Sequence, residues 1–308
     1  MNDTPTPLVS VVIPTYNHAH FLGRALQSVI DQTYTNWEAI VIDNHSTDNT
    51  DEVMAGFADP RIKYLKIFNN GVIAASRNAG IRATKGVWVA FLDSDDLWYS
   101  RRLEIVINSI REDLSVDVCS TDEMQINLAT GTKTPLIYGP YRSNFYQELL
   151  LKGNRLSTSA TLVRRKFMTK YGLSFRENKE FVTAEDYDFW MLLARAGANF
   201  KFISSIQGEY TIHMTNASGQ DDRHQKSTLN VLHDHVYLQQ NFQQNKDKLW
   251  SYINSGIYVS NAKNMFKNND YVSGAKCLAA AIFSSQVGTL HYIFYRFLKR
   301  FKSVFKFN

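Results

Sequence analysis

Three carboxylates fall within four positions of the chain, at Asp93, Asp95 and Asp96. They follow the apolar run Trp88 to Leu92, which is too short and too uniformly apolar for a surface helix and is typical of a buried strand. In open α/β sheets, ligands bind at the carboxyl ends of such strands. Clustered carboxylates repel one another, and a hard divalent cation such as Mg2+ or Mn2+ relieves that repulsion while sharing substrate phosphates. The segment therefore predicts a site for a metal-bound diphosphate.

Two other interpretations of this acidic cluster need weighing. Acidic residues after a strand are often solvated turns or helix N-caps, and Asp96 could cap the helix that follows. A calcium loop that starts at Asp93 would find Glu104 at its twelfth position. That loop fails, because Leu97 and Trp98 stand where a ligand and a turn glycine are required. The motif alone leaves metal binding and capping open.

Composition narrows the class of protein. The chain has 308 residues, 44% of them hydrophobic, which suffices for one large or two smaller domains. Two cysteines, Cys119 and Cys277, are too few for a disulfide framework and form no metal-ligand or redox pair. No signal-peptide pattern and no apolar run long enough to span a bilayer is present. We expect a globular cytoplasmic protein.

The formal net charge of +5 lies at one end of the chain. Residues 287–308 carry five cations and no acid, so the rest of the chain has no net charge. The five cations are Arg296, Lys299, Arg300, Lys302 and Lys306. Because residues 1–286 have no net charge, the sequence argues against nucleic acid as a partner.

Strands and helices alternate in the first hundred residues. Strands are predicted at 8–13, 39–42, 62–68 and 88–92, the third more exposed than the others, and helices at 18–32, 49–58 and 73–84. This alternation predicts a doubly wound, mostly parallel sheet with Tyr16, Asp43, Gly71 and Asp93 at carboxyl ends of strands. Because no Gly-x-Gly-x-x-Gly follows the first strand, a nicotinamide enzyme is disfavoured.

A series of short motifs covers about residues 8–215. They are Val11-Val12-Ile13-Pro14-Thr15-Tyr16-Asn17, Asp43 with Ser46-Thr47-Asp48, Asn70-Gly71 with Ala75-Ser76-Arg77-Asn78-x-Gly80, Leu92-Asp93-Ser94-Asp95-Asp96, Glu185-Asp186, and Tyr210-x-x-His213. In this order and spacing they resemble the family 2 glycosyltransferases, inverting enzymes of GT-A fold that use nucleotide-diphosphate sugars. Each motif is weak singly, but the series is specific.

Two of these residues suit a nucleobase. Tyr16 offers a ring on which a base can stack, and Asp43 can accept a base N–H, a combination that suits uracil. The alternatives are a core aromatic for Tyr16 and a helix cap for Asp43. Arg77 can meet a diphosphate with a planar charged fork, or it can be a solvated charge on a helix.

The resemblance implies further roles. Asp93 would face the ribose of the donor, and Asp95 would hold the metal. Pro14, Asn17 and Gly71 would complete the nucleotide-sugar site. One departure lies after the second strand, where the family often has Asp-Asp-Gly-Ser and this chain has Asp43-Asn44-His45-Ser46. His45 puts the geometry of that turn in doubt, although His tolerates a left-handed conformation.

The second half would form the acceptor side. A strand is predicted at 116–120, a hairpin at 122–137, a helix at 143–152 and a returning strand at 159–163. In the helix predicted at 183–197, Glu185 and Asp186 occupy the N-terminal turn, where carboxylates are stabilised and are often only caps. The resemblance implies that Asp186 is the general base and that Glu185 positions the acceptor or the base. His213 could close over the diphosphate or metal, or be structural.

The composition changes beyond Gly219. Helices rich in Gln, Asn and Lys are predicted at 222–244 and 247–268, and residues 262–281 resemble one hairpin of the tetratricopeptide type. We therefore predict a GT-A catalytic domain over 1–219, divided into a nucleotide-sugar half at 8–98 and an acceptor half at 99–219. Residues 220–308 would form a helical extension with a basic amphipathic tail.

The tail, Leu290 to Phe307, has the pattern of a helix that lies on a membrane surface. One side carries Leu290, Ile293, Phe294, Phe297, Phe301, Val304 and Phe305, and the other carries His291, Lys299, Lys302 and Lys306. Amphipathic, basic and aromatic helices bind anionic leaflets in plane. The alternative is a terminal helix docked on the protein itself.

The residues together predict a metal-dependent inverting transferase. It would move one sugar from a nucleotide diphosphate, with UDP the expected carrier, to a glycan or lipid-linked acceptor in surface-polysaccharide synthesis, at the inner face of the plasma membrane. Processive relatives carry Gln-x-x-Arg-Trp and membrane helices, and this sequence has neither. The rivals are a sugar nucleotidyltransferase, which would need a glycine-rich phosphate loop after the first strand, and a catalytically inactive scaffold that binds nucleotide-sugar. The oligomeric state is left open.

Overall fold

The computed structural model describes residues 6–139, 144–213, 221–267 and 269–284. The strands within these ranges are β1 Val9–Thr15, β2 Trp37–Asp43, β3 Ile62–Lys66, β4 Trp88–Phe91, β5 Leu97–Trp98, β6 Val118–Asn127, β7 Lys133–Leu136, β8 Thr161–Arg164 and β9 Phe200–Ile212. The helices are α1 Ala19–Ile30, α2 Thr50–Ala55, α3 Ile73–Ala83, α4 Arg102–Arg111, α5 Phe145–Lys152, α6 Arg165–Tyr171, α7 Glu185–Arg195, α8 Asp221–Asp234, α9 Lys246–Lys267 and α10 Tyr271–Ser284. A 3-10 turn at Lys179–Phe181 and a π turn at His235–Gln239 complete the described elements.

One mixed sheet runs through residues 9–212, in the strand order β3-β2-β1-β4-β8-β6-β9-β5, with β7 paired to β6. Strands β1 to β4 are mutually parallel, as the strand and helix alternation predicts. In the second half, β8 is antiparallel to both β4 and β6, whereas β9 is parallel to β6. The parallel character is therefore confined mainly to the half that carries the predicted nucleotide-sugar residues.

Strand β1 lies inside the sheet and is buried along its whole length. Its alternate residues Val9, Val11 and Ile13 pack in a core with Leu22 and Leu26 of α1. Pro14 is tolerated there because β4 pairs with β1 only as far as Val12, so the missing N–H of Pro14 costs no hydrogen bond on that side. The strand thus delivers Tyr16 and Asn17 to the sheet edge, as predicted.

The second half differs from the sequence prediction in two elements. The sequence predicts a strand at 116–120 and a separate hairpin at 122–137, but one strand, β6, runs from Val118 to Asn127 and itself forms the hairpin with β7. Helix α6 follows β8 directly and was not predicted. It is short and strongly basic, and it buries only Phe167 and Met168, so its helical pattern is weak.

Two compact units divide the chain at residues 228 and 229. The first contains the sheet. In the second, α9 and α10 pack on each other, and a side chain at Gly274 would meet the ring of Phe266 at 2.5 Å. The C-terminal helices expected from the sequence are present, while the predicted tail helix at 290–307 lies outside the described residues. In the described part of the chain, every helix is too short or too polar to cross a bilayer.

Candidate active site

Loops after β1 and β2 meet at the carboxyl edge of the sheet. Asn17 has a left-handed φ of +51°, its N–H donates to Ser46 Oγ at 2.9 Å, and its Oδ1 accepts from the Thr47 N–H at 2.8 Å. Asn17 therefore joins the two loops. The neighbouring Tyr16 is 53% exposed, so its ring is not a core aromatic and is free to stack on a ligand.

Asp43 orders the turn that follows β2. Its buried carboxylate accepts hydrogen bonds from the N–H and Oγ of Ser46, at 3.0 and 2.5 Å, and from the Tyr64 hydroxyl at 2.9 Å. Helix α2 begins seven residues later at Thr50, so Asp43 does not cap it. The Ser46 N–H also reaches Asp43 Oδ2 at 3.2 Å, and Lys66 Nζ lies 3.9 Å from the same oxygen, so both carboxylate oxygens have partners within the protein.

His45 fits the turn despite the departure from the family pattern. Its φ is +53°, and its ring stacks on Phe68 with centroids 3.7 Å apart and planes 11° apart. Phe68 is 76% exposed and lies between β3 and Gly71. Gly71 itself has a φ of +75° and donates its N–H to Asn69 Oδ1 at 2.9 Å. The stacked pair beside Asp43 was not predicted, since nothing in the local sequence pairs residues 45 and 68.

The acidic loop after β4 is held by Ser159, which precedes β8. Ser159 Oγ accepts from the Asp93 N–H at 3.0 Å and donates to Asp96 Oδ2 at 2.5 Å, and its carbonyl accepts from the Trp98 indole at 2.8 Å. Asp96 also accepts from the Thr211 N–H at 2.8 Å and is buried. Asp96 is therefore neither a helix cap nor a solvated turn. Burial, followed by the charge of Asp95, raises its pKa well above the usual range.

Arg77 joins the acidic loop to the start of α7. It is buried, with one guanidinium nitrogen 2.8 Å from Asp93 Oδ1 and the other 2.5 Å from Glu185 Oε1. The interpretation of Arg77 as a solvated helix charge is therefore wrong. Although burial opposes the charge, Asp93 and Glu185 raise the pKa of Arg77 above its usual value. The second oxygen of Glu185 accepts from the Thr183 N–H at 2.7 Å, so both its oxygens are engaged within the protein.

Asp186 stands in the first turn of α7 beside Glu185. Its Oδ1 accepts from the Tyr187 N–H at 2.7 Å, and its Oδ2 accepts from the Asn154 amide at 3.2 Å. The residue is partly exposed. Desolvation and the charge of Glu185 raise the pKa of Asp186 to about 7. A carboxylate with this pKa is suited to accept a proton near neutral pH. Asn154 was not identified from the sequence, because an asparagine in a polar loop carries no distinguishing signal.

Asp95 and His213 face each other across the same edge. His213 Nε2 lies 2.9 Å from Asp95 Oδ2, and the His213 ring packs on Phe21 with centroids 4.7 Å apart. His18 Nδ1 lies 3.0 Å from Ser94 Oγ, and burial lowers the pKa of His18. The structure thus brings together the two side chains predicted to hold a metal.

Two side chains of this edge, those of Asp95 and His213, are close enough to share a metal ion. Across the described ranges, no group of three or more His, Cys, Asp or Glu side chains is arranged to hold an ion. Mg2+ is usually bound through one or two carboxylates together with substrate phosphates and water. Asp95 and His213 therefore fit a cation that is shared with a diphosphate.

Comparison with known proteins identifies the family. The model of glycosyl transferase family 2 matches residues 10–172. The chain belongs to glycosyl transferase family 2. Among its family relatives is the Escherichia coli UDP-Glc:alpha-D-GlcNAc-diphosphoundecaprenol beta-1,3-glucosyltransferase WfgD. The two are 29% identical over 234 residues, which are 74% of this chain and 87% of WfgD. The chondroitin synthase of Escherichia coli is also 29% identical over 216 residues, 69% of this chain but 30% of that enzyme.

Solved structures agree on the fold. The Staphylococcus aureus protein TarS, residues 1–349 in complex with UDP-GlcNAc, superposes with a TM-score of 0.66 at 18% identity, over 90% of this chain and 81% of that one. The mannosyltransferase PcManGT from Pyrobaculum calidifontis, in complex with GDP-Man and Mn2+, gives a TM-score of 0.61 at 18% identity, over 92% and 77%. The GT-A type fold expected from the sequence is confirmed.

Proposed function

We propose that this protein is an inverting glycosyltransferase that moves one sugar from a UDP-sugar to a lipid-linked glycan in surface-polysaccharide synthesis. The observation that carries the proposal is the link from Asp93 through Arg77 to Glu185, which sets the partly exposed Asp186 beside the donor motif. Donor residues and a base of suitable pKa are then within one connected site.

The chemistry needs one base and one displaced diphosphate. The acceptor hydroxyl gives its proton to a carboxylate oxygen of Asp186, and its oxygen forms a bond to the anomeric carbon of the sugar. The bond from that carbon to the diphosphate oxygen breaks, and the electron pair leaves with the UDP. Because attack comes from the side opposite the leaving group, the configuration inverts. A base that is half deprotonated near pH 7 is available for this step without added alkali.

We assign the donor site to the carboxyl edge of β1, β2 and β4. Tyr16 would stack on uracil, and Asp43 would accept the base N–H. Asp93 would face the ribose, with Pro14, Asn17 and Gly71 shaping the loops around the nucleotide. Arg77 is committed to two carboxylates in the described structure, so we assign it to orienting Asp93 and Glu185.

Asp95 and His213 would hold the metal, Mg2+ or Mn2+. Bound there, the ion would offset negative charge on the departing diphosphate. The contact between Asp95 and His213 supports this assignment, and so does the Mn2+ present with GDP-Man in the PcManGT structure. The protein would contribute two ligands, and the diphosphate and water the others.

The likeness to WfgD favours a UDP-glucose donor and a diphospholipid acceptor, because the match covers most of both chains. A lipid-linked acceptor also gives a use to the basic tail at 290–307, whose pattern suits the surface of an anionic leaflet. We therefore place the protein on the inner face of the plasma membrane, held peripherally by that tail.

The direct test is transfer of labelled glucose from UDP-glucose to a synthetic α-GlcNAc-diphospholipid in the presence of Mn2+. The expected product is a β-linked disaccharide lipid, with its anomeric configuration read by NMR. An α-linked product would contradict inversion. If donor binding is retained but neither this donor nor UDP-GlcNAc, UDP-galactose or GDP-mannose is turned over, the protein is a nucleotide-sugar-binding scaffold.

A second test concerns the membrane. Deletion of residues 288–308 should release the protein from anionic liposomes at low salt while UDP-glucose hydrolysis continues. The matched control replaces Lys299, Lys302 and Lys306 by Gln in the full chain, which keeps the apolar side and removes three cations. If the full chain does not sediment with anionic liposomes, or the truncated chain unfolds, the tail is structural.

A further inference from the structure

Thr183, two residues before Glu185, has a backbone conformation that its side chain disfavours. Its φ is +83°. Positive φ is uncommon for residues other than glycine, and for a β-branched residue it is a genuine outlier. Such conformations persist only where the surrounding structure fixes them, and they concentrate at functional sites. Thr183 lies two residues before the helix that carries Asp186, so the contacts that fix its conformation can also position the proposed base.

Two side chains of α8 hold the carbonyl groups at this point. Ser227 Oγ donates to the Val182 carbonyl at 2.7 Å, and His224 Nδ1 lies 2.9 Å from the Thr183 carbonyl and 3.3 Å from Thr183 Oγ1. Because a carbonyl oxygen can only accept, the His224 Nδ1 carries the hydrogen. His224 and Ser227 are three residues apart, on the same face of α8. Two successive peptide groups are thus gripped from one helix.

Thr183 also contacts the first turn of α7, which carries Glu185 and Asp186. While its carbonyl accepts from His224, the Thr183 N–H donates to Glu185 Oε2 at 2.7 Å, and the other oxygen of Glu185 accepts from Arg77. Thr183 therefore connects α8 to the carboxylate next to Asp186. A rotation of the Thr183 peptide would break its bond to Glu185 and move the first turn of α7.

We propose that His224 and Ser227 are positioning residues for Asp186, acting by holding Thr183 at positive φ. The inference rests on the proposed function, in which Asp186 is the base. His224 takes no part in proton transfer, since among the described residues its hydrogen-bond partners are the carbonyl and hydroxyl of Thr183. Its effect is on turnover, because the donor residues Tyr16, Asp43 and Asp93 lie on other loops.

The test measures kcat and the KM for UDP-glucose in transfer to α-GlcNAc-diphospholipid. In His224→Ala, kcat should fall about 10-fold or more, since small displacements of a reacting group are costly, while the KM for UDP-glucose stays within experimental error. His224→Asn should recover most of the lost kcat, because its amide N–H can take the place of Nδ1–H. Lys226→Ala, at an exposed position on the same helix, is the matched control and should be normal.

A double variant separates positioning from simple docking of α8. Glycine adopts positive φ without a steric penalty, so Thr183→Gly added to His224→Ala should restore part of kcat. If His224 served only to fasten α8, this second change would restore nothing. A normal kcat in His224→Ala, or a loss that Thr183→Gly and His224→Asn both fail to reverse, overturns the inference.

Asp186→Asn is assayed in parallel to distinguish the two failures. If Asp186→Asn is inactive and His224→Ala is fully active, the positioning inference alone is wrong. If Asp186→Asn turns over at the normal rate, the base assignment in the proposed function is wrong, and the positioning role is overturned with it.

Discussion

Arg77 on α3 donates a 2.5 Å hydrogen bond to Glu185 at the start of α7, 108 positions further along the chain. The same guanidinium contacts Asp93, so a single buried cation connects the donor motif with the turn that carries Asp186. Neither acid has another cation within ion-pair distance in the described residues. The two ion pairs of Arg77 therefore link the loop after β4 to the first turn of α7.

Replacing Arg77 by Met should destabilise the fold strongly. The substitution keeps an unbranched side chain but leaves two carboxylates without their cation, and breaking a buried pair in this way typically costs about 3–5 kcal/mol of the free energy of unfolding. Urea denaturation measures the difference. Arg82→Met, at an exposed position on the same helix, is the control and should change stability by about 0.5 kcal/mol or less. Equal effects of the two changes would contradict the role of the Arg77 ion pairs.

Replacing Asp95 by Ala should remove the metal dependence of donor binding without unfolding the protein. Its carboxylate contacts His213 at the sheet edge and does not support the apolar core. Calorimetry with UDP, with and without Mn2+, should show Mn2+ strengthening UDP binding in the wild type but not in Asp95→Ala or His213→Ala. Asp31→Ala, on an exposed acid just after α1, is the control. Mn2+-dependent UDP binding that survives both substitutions would rule out this metal site.

Asp186→Asn should stabilise the protein while abolishing most of its activity. The pKa of Asp186 is about 7 in the folded state, against about 3.9 in an unfolded chain. Between about pH 4 and pH 7, Asp186 therefore holds a proton in the folded state that it has lost in the unfolded state. The contribution of this proton to the free energy of unfolding is at its maximum below about pH 4 and is lost as the pH rises through 7. The variant should therefore melt above the wild type at pH 8 and close to it at pH 4.

The same substitution should lower kcat by about 10²- to 10⁴-fold, the usual cost of losing a general base. In the wild type, kcat should rise with pH through about 7, since the carboxylate must be deprotonated to accept a proton. A wild-type kcat that falls across that range, or melting temperatures that differ by the same amount at pH 4 and pH 8, would contradict the perturbed pKa.

Two helical glycines should respond in opposite directions to alanine. A Cβ at Gly80 on α3 would lie 2.3 Å from one methyl of Val12 and 3.1 Å from the other, so rotating that buried side chain cannot clear it. Such overpacking typically costs about 1–3 kcal/mol. At Gly23 on α1 the nearest atom is 3.6 Å away, and Gly23→Ala should stabilise by about 0.5–1 kcal/mol. Thermal melts of the two variants compare them directly. A stabilised Gly80→Ala would mean that β1 and α3 pack less closely than described.

The parallel half of the fold could be predicted from sequence because its signals are local. There β1, β2 and β4 contain short apolar runs, α1 shows a 3.6-residue period, and turn residues separate the elements. The boundary of β6 could not be predicted in the same way. Thr121, Asp122 and Glu123 look like the end of a buried strand, yet they are buried within it.

Partners from distant elements explain that burial. Arg102 of α4 donates to Thr121, the Tyr138 hydroxyl donates to Glu123, and the Tyr138 N–H donates to Asp122. Arg102 also lies over the Trp98 ring, and its burial lowers its pKa to about 10. Polar residues can continue a buried strand only where such partners exist, and a sequence does not show which they are. The same limit applied to Arg77, whose two acids are 16 and 108 positions away.

The contacts of Ser159 limit how the acidic motif at 93–96 can be moved into another protein. Its hydroxyl contacts Asp93 and Asp96 in the loop after β4, and its carbonyl contacts Trp98 in β5. A chimera that grafts residues 88–98 onto another parallel sheet would carry every acid of the motif. It would lack Ser159, whose hydroxyl hydrogen-bonds to both Asp93 and Asp96. Recombination within this family should therefore succeed at breakpoints that keep residues 88–164 together, and fail at breakpoints that divide them.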